Sequence, residues 1–418
     1  MDETGNATAT SPSPLTELDI PTGEGVGGES SSNVIELALV FLKLGTIAFG
    51  GPAAHIALMR LEFVDRRRWL TEAEFLDLVG AANLIPGPSS TEVAIFIGYR
   101  RAGIIGLLLA GLCFILPAAL IVAAFAAAYV RYGRMPVGQG VLYGVKPVII
   151  AIVVQALWTL GKQAIKSQLL AGVGIAGLAA AFLGLPPLAV VMGGGVLASI
   201  PAIGAQAPAE RRKSIASLTG ALALLIGLPL VAMALEPAAA SHSRLITCFL
   251  VFAKIGSVVY GSGYVLLAFL KTDLVTRLHW LTSTQLLDSV AVGQFTPGPV
   301  FTTATFIGYL VAGPMGAVAA TVGIFAPAFL FVGVGSRIVP RLRQSSSTAA
   351  FLDGVNVGSL ALMAVVTWQL GRAALVDGVT ILLALGSAFA LLRFRWNSAW
   401  LVAAGAVLGL IRILVVAH

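Results

Sequence analysis

Pro-Gly-Pro occurs at 86–88 and again at 297–299, each time deep inside a long apolar run. Proline in a helix interior removes a hydrogen bond and clashes with the preceding turn, at a cost of about 3 kcal/mol. A chain that interrupts its own apolar helices in this way has to put the breaks where freed backbone groups find partners. The two breaks belong to one pattern. Phe41-Leu-Lys43-Leu-Gly45 recurs as Phe252-Ala-Lys254-Ile-Gly256, Trp69-Leu-Thr71 as Trp280-Leu-Thr282, and Asn83-Leu-Ile-Pro86 as Gln294-Phe-Thr-Pro297, all at an offset of 211. A one-residue deletion then lowers the offset to 210. Phe96-Ile-Gly98-Tyr99 matches Phe306-Ile-Gly308-Tyr309, Pro117 matches Pro327, Gly144 matches Gly354 and Trp158 matches Trp368. The chain is two homologous halves.

The medium in which these halves fold follows from composition. Of 418 residues, 58% are hydrophobic and only 11% charged, against roughly 45–50% and about 25% in soluble domains. That excludes a soluble globule, and it excludes a disordered chain. Two cysteines and four histidines without ligand spacing exclude a disulfide framework and a zinc site. The net charge of +7 reads as loop lysine and arginine and not as a nucleic-acid patch. The expected fold is an all-α polytopic membrane protein of two repeats, each with broken helices and a re-entrant Pro-Gly-Pro hairpin. Residues 1–33, rich in Ser, Thr, Pro, Gly and acids, read as a disordered tail. The first repeat is expected over 34–205 and the second over 244–418. Between them, 206–243 is a linker with an extra apolar helix at 214–235.

Repeated halves that meet at a pseudo-symmetry axis are a transporter architecture, with the site at the repeat interface. Arg60–Arg68 and Arg100-Arg101 share one face if 72–99 is re-entrant, while the second half carries Arg393 and Arg395 where the first has no counterpart. Basic loops face the cytoplasm, so this exchange favours inverted halves. A parallel arrangement stays open on total charge.

The breaks are the candidate site. A helix over about 72–85, a break at Pro86, Gly87 and Pro88, and a new helix through Tyr99 leave first-turn amides at a positive helix end. Ser89, Ser90 and Thr91 set hydroxyls beside them, as Thr302 and Thr303 do after Pro297, Gly298 and Pro299. Together these make an anion pocket. Asn83 and Gln294 precede the two breaks. A second pair of breaks lies at Gly50, Gly51 and Pro52, followed by His55, and at Gly261 and Gly263. Lys43 and Lys254 stand at matching intramembrane positions, where charge marks function; with two helix ends they offset a dianion. Glu92, Asp77 and Asp288 are the acidic groups at depth, and a carboxyl group taken out of water can serve as a proton carrier. Competing structural roles are a plain hairpin turn at each break, snorkelling lysines, water-facing aspartates and a packing role for His55. Metal ligands and cofactors are not expected.

The succession from Phe41 to His55, Arg66-Arg-Arg-Trp-Leu-Thr71, Pro86-Gly-Pro88 and Gly144-Val-Lys-Pro147 resembles the chromate ion transporter family. The second half, with Gly261-Ser-Gly-Tyr264 and Gly293 to Pro299, is similar to the C-terminal domain of its two-domain members. The resemblance covers about 36–162 and 248–371. It implies export of chromate, and of sulfate as its mimic, across the bacterial inner membrane by a multi-pass protein using proton-coupled antiport. The tail is expected in the cytoplasm. The implied partners are a chromate or sulfate dianion, protons and the lipid bilayer, with no nucleic acid; monomer and homodimer both stay open. The second half departs from the pattern in lacking Gly-Gly-Pro, the histidine and an equivalent of Glu92.

Three alternatives remain. A membrane enzyme would need a cofactor motif or a nucleophile with its base, and no Rossmann fingerprint, C-x-x-C or Walker loop is present. A sulfate or oxyanion importer, or a passive anion channel, would share the same architecture.

Overall fold

Three helices begin where a hydroxyl caps them, at Thr71, Ser167 and Thr282. The computed structural model describes residues 29–49, 51–133, 135–204, 206, 211, 219, 227–235, 243–260, 263, 265–343, 346–394, 396 and 398–416. Every regular element among them is helical. The first half comprises α1 (Glu29–Ile47), α2 (Pro52–Arg60) running into a π-helical turn (Leu61–Arg66), α3 (Glu72–Ala82), α4 (Ser89–Tyr132), α5 (Pro136–Ala164), α6 (Gln168–Phe182) and α7 (Pro187–Gly204). The second comprises α8 (Arg244–Val258), α9 (Leu266–Leu270) running into a π turn (Lys271–Arg277), α10 (Ser283–Phe295), a 3-10 turn (Val300–Thr302) and α11 (Thr303–Arg343). It closes with α12 (Ser346–Ala374), α13 (Gly378–Phe389) and α14 (Ser398–Val416). The tail expected over 1–33 lies outside the described residues as far as 28, and α1 starts before its expected end. Of the linker helix expected over 214–235, residues 219 and 227–235 are described and helical.

The repeat extends to details of backbone geometry. Thr71 and Thr282 both close capping boxes, with Glu74 and Gln285, satisfying two amides at each helix start. Just before them Arg68 and His279 share a left-handed conformation, φ 53° and 51°. Trp69 and Trp280 each donate a backbone bond of 2.8 Å to the carbonyl of an equivalent residue, Phe63 or Leu274.

Each half sends two hairpins into its interior. In the first, α1 and α2 run antiparallel: Phe41 packs on Phe63 at 5.1 Å between ring centroids, and Arg67 reaches back to pair with Glu36. In the second, α3 and the start of α4 are joined across their base by the Glu74–Arg100 ion pair. The 11 residues of α3 extend only about 16 Å, half the thickness of a hydrocarbon core, so this hairpin is re-entrant. The helix expected through Tyr99 then turns back on itself. Ala102 and Gly103 leave helical geometry, with Gly103 at φ 57°. The backbone of Gly98 lies against that of Gly106, a pair that a continuous helix would hold about 12 Å apart. Ala312-Gly313 repeats the reversal in α11, with Gly308 against Gly316.

Five described helices are long and apolar enough to cross a membrane, within α4, α5, α7, 300–334 and α12. Large apolar side chains on these and on the shorter apolar helices are exposed, among them Ile104, Leu120, Ile175, Leu382 and Trp400, as lipid contact requires. α5 and α12, which are equivalent, run antiparallel. Lys166, just past the end of α5, pairs with Asp353 near the start of α12 at 2.7 Å, while Tyr143 near the start of α5 donates to Asp377 past the end of α12 at 2.6 Å. The two-fold relating the halves therefore lies across the long helices, which is the inverted arrangement.

Candidate anion site

The four hairpin tips meet one another. The amide of Gly87 donates to the carbonyl of Val259 at 2.8 Å, and the amide of Gly298 donates to the carbonyl of Ala48 at 2.8 Å. Ala48 and Val259 are equivalent, as are Gly87 and Gly298, so each half completes the other's turn. This reciprocity is what a two-fold axis produces. Both glycines have positive φ, 141° and 87°. A side chain at Gly87 would strike the Glu92 carboxyl, and one at Gly298 would strike the Ala118 methyl. Pro86 and Pro88, Pro297 and Pro299 are buried beside them. Pro88 is the N-cap of α4.

His55 ties the first tip to the second. Its Nε2 lies 3.1 Å from the Ala48 carbonyl and its Nδ1 3.1 Å from the Ser90 hydroxyl, with the ring edge-on to Phe114. A carbonyl only accepts, so Nε2 carries the proton and, in the neutral ring, Nδ1 accepts from Ser90. Both ring nitrogens are occupied in a buried setting, the packing role weighed for this histidine.

Glu92 stands differently. It lies in the first turn of α4, 0% exposed, and neither carboxyl oxygen has a hydrogen-bond partner. The Thr91 hydroxyl and the Tyr260 hydroxyl are also buried without a partner. Tyr260 follows Val259 directly and lies close enough to Glu92 to interact electrostatically. Three orphaned polar groups thus lie in the two segments that one hydrogen bond between the halves joins. Native interiors leave few such groups, and each calls for an explanation such as a ligand or an ordered water.

The second half is quieter. Thr302 and Thr303 turn their hydroxyls back onto the carbonyls of Pro299 and Val300, at 2.7 and 2.8 Å. Gln294 is buried and, with Gly263, Leu266, Val300 and Thr303, lines a water-sized recess. Its counterpart Asn83 is exposed at the end of α3. Gly51, at φ 81°, is the N-cap of α2, and Pro52 begins that helix half-buried. Gly50 and Gly261 lie outside the described residues.

The charged candidates are set back from the tips. Lys254 is buried and bonded to Asp273 at 2.6 Å, and Arg277 reaches the same carboxylate at 3.0 Å. Lys43 is exposed on α1. Its nearby acid, Glu62, is held instead by Arg66 and Arg67 at 3.4 and 2.8 Å. Asp288 is buried, accepts from Tyr129 at 2.8 Å and pairs with Lys146 at 3.1 Å, both from the first half. Its counterpart Asp77 is exposed. Tyr260 and Tyr129 were not among the expected site residues, and Lys146 stood out in the sequence only within Gly144-Val-Lys-Pro147. For Tyr260 the signal was present, since it replaces Phe49 at the equivalent place beside a glycine break and adds a hydroxyl to an aromatic ring.

The sequence profile of the family described as chromate transporter matches residues 35–199 and again 246–410. The chain belongs to the chromate transporter family. Among its relatives is the chromate transport protein of Cupriavidus metallidurans, 34% identical over 373 residues, 89% of this chain and 91% of the relative. The probable chromate transport protein of Synechococcus elongatus is 33% identical over 84% of this chain and 88% of its own length. The chromate transport protein of Pseudomonas aeruginosa is 30% identical over 86% of each. No solved structure matches the chain. Each profile match in this chromate transporter family member takes in one Pro-Gly-Pro tip and the tip that meets the Pro-Gly-Pro of the other half.

Proposed function

We propose that this family member is a secondary transporter that carries chromate outward across the bacterial inner membrane, with its N-terminal tail in the cytoplasm. The observation that carries the reading is the meeting of four hairpin tips, two of which carry the unpartnered Glu92, Thr91 and Tyr260. Chromate has four oxygens that accept hydrogen bonds, and first-turn amides, hydroxyls and a helix N-terminus supply donors and partial positive charge. Sulfate has the same shape and charge and fits the same groups. Lys43 and Lys254 stand five residues before Ala48 and Val259 and add positive charge along the approach; direct contact with the anion requires Lys254 to leave Asp273. Translocation follows when the tips of one half withdraw and those of the other stay closed. Contact between the tips favours such alternation over a permanently open channel. Glu92 is the group that supports a proton link, which the family resemblance implies as antiport.

The test is purified protein in liposomes under a chromate gradient, with total chromium and Cr(VI) followed separately. Chromate should move without change of oxidation state, and external sulfate should compete. Absence of flux, or loss of Cr(VI) at constant total chromium, removes the reading.

A further inference from the structure

The charges around the tips determine how a proton and the anion share the site. Glu92 is completely buried, both of its oxygens are unpartnered, and it forms no ion pair among the described residues. The elements packed against helix 89–101 bring no cation to it. α2 contributes His55, committed to the Ala48 carbonyl and Ser90, and at its last residue Arg60, paired with Asp65 and Glu72. The segment after α8 contributes Tyr260, which is neutral. α3 carries Glu72, Glu74 and Asp77, with Glu74 held by Arg100 at the base of the hairpin. α1 carries Glu36, paired with Arg67, and the exposed Lys43. Residues 303–334 of α11 contain no charged side chain. On the same helix, Arg100 and Arg101 lie at the far end, Arg101 over the Trp69 ring. Thr302 and Thr303 occupy the place of Glu92 in the other half, so the tips hold one acidic side chain among the described residues.

An ionised Glu92 and a dianion at the same turn would set like charges together in a medium that screens them poorly. An isolated carboxylate without partners is also costly to bury. A proton on the carboxyl removes both penalties and gives the anion one more hydrogen-bond donor.

We infer that the proton and the oxyanion travel together, one proton on Glu92 for each dianion, in the same direction. This rests on the anion site proposed above and reverses the antiport that the resemblance implies. The cargo is then a dianion plus one proton, net charge −1. A membrane potential negative inside drives that charge outward, whereas a pH gradient acid outside opposes it. Export in this scheme draws on the electrical part of the proton gradient alone.

The experiment uses the full chain in liposomes loaded with chromate and a pH-sensitive dye, at mildly alkaline pH where free chromate is the dianion. Potassium and valinomycin hold the potential at zero. As chromate leaves, the lumen should become more alkaline, by one proton per chromate. Acidification of the lumen would overturn the inference in favour of antiport. Chromate flux with no proton movement would overturn it and leave the proposed transport intact. Absence of chromate flux in a folded protein would overturn the transport reading itself. In Glu92→Gln, whatever flux remains should carry no proton, and Glu92→Asp should restore the one-to-one ratio. A ratio of one in the glutamine variant assigns the proton elsewhere and sinks the role of Glu92.

Discussion

Tyr260 brings a hydroxyl to a place where its counterpart Phe49 brings none, and the hydroxyl is buried without a partner on the residue that follows Val259. Removing a donor that faces a charged ligand costs about 1.5 kcal/mol, close to tenfold in affinity. Tyr260→Phe should therefore weaken apparent chromate affinity by about tenfold in liposome flux assays, with a smaller change in maximal rate. Unchanged affinity would place the hydroxyl outside the site. At this scale the sequence shows which residues are special but not which of them meet. Glu92 and Tyr260 are 168 positions apart in the chain, and no periodicity links them. The matched lysines illustrate the same gap: identical register predicts identical roles, yet one is locked to Asp273 and the other is exposed. What differs is the neighbouring acid, Asp273 with one close arginine against Glu62 with two.

At the scale of helices, each half ends by packing on the other. α7 lies along α12, with Gly194 against Gly354, and α14 lies along α5, with Gly405 against Gly144. Small residues let membrane helices approach backbone to backbone, and Gly144 and Gly354 are equivalent. The triplet Gly193-Gly194-Gly195 is legible as a packing stripe, but only the structure separates its members. Gly194 and Gly195 touch Gly354 and Phe351, whereas nothing lies within 4 Å of a side chain added at Gly193. Overpacking a tight contact costs about 1–3 kcal/mol. Gly194→Val and Gly354→Val should each lower the melting temperature in detergent by several degrees, while Gly193→Val leaves it nearly unchanged. Equal melting of all three variants would mean that the exchange of closing helices does not hold the halves together.

For the whole molecule, the offset of 211 made the duplication readable, and the basic loops hinted at inversion without deciding it. The decisive contacts, Lys166 with Asp353 and Tyr143 with Asp377, join residues that no local pattern relates. Trp158 and Trp368 add to this: both are exposed, each near the end of its own antiparallel helix, as aromatic residues at two opposite membrane interfaces would be. Cysteines introduced at Arg66 and at Thr276, in a chain with Cys113 and Cys248 changed to alanine, should react with an impermeant maleimide from opposite sides of the membrane. Labelling of both from one side would rule out inversion.

The crossed pairing of Gly87 with Val259 and Gly298 with Ala48 has a genetic consequence. A protein built from a single unit of this type would leave one donor and one acceptor unmet at its heart. Such a product would have to seek an upside-down twin, and fusing two copies into one gene converts that search into a certainty.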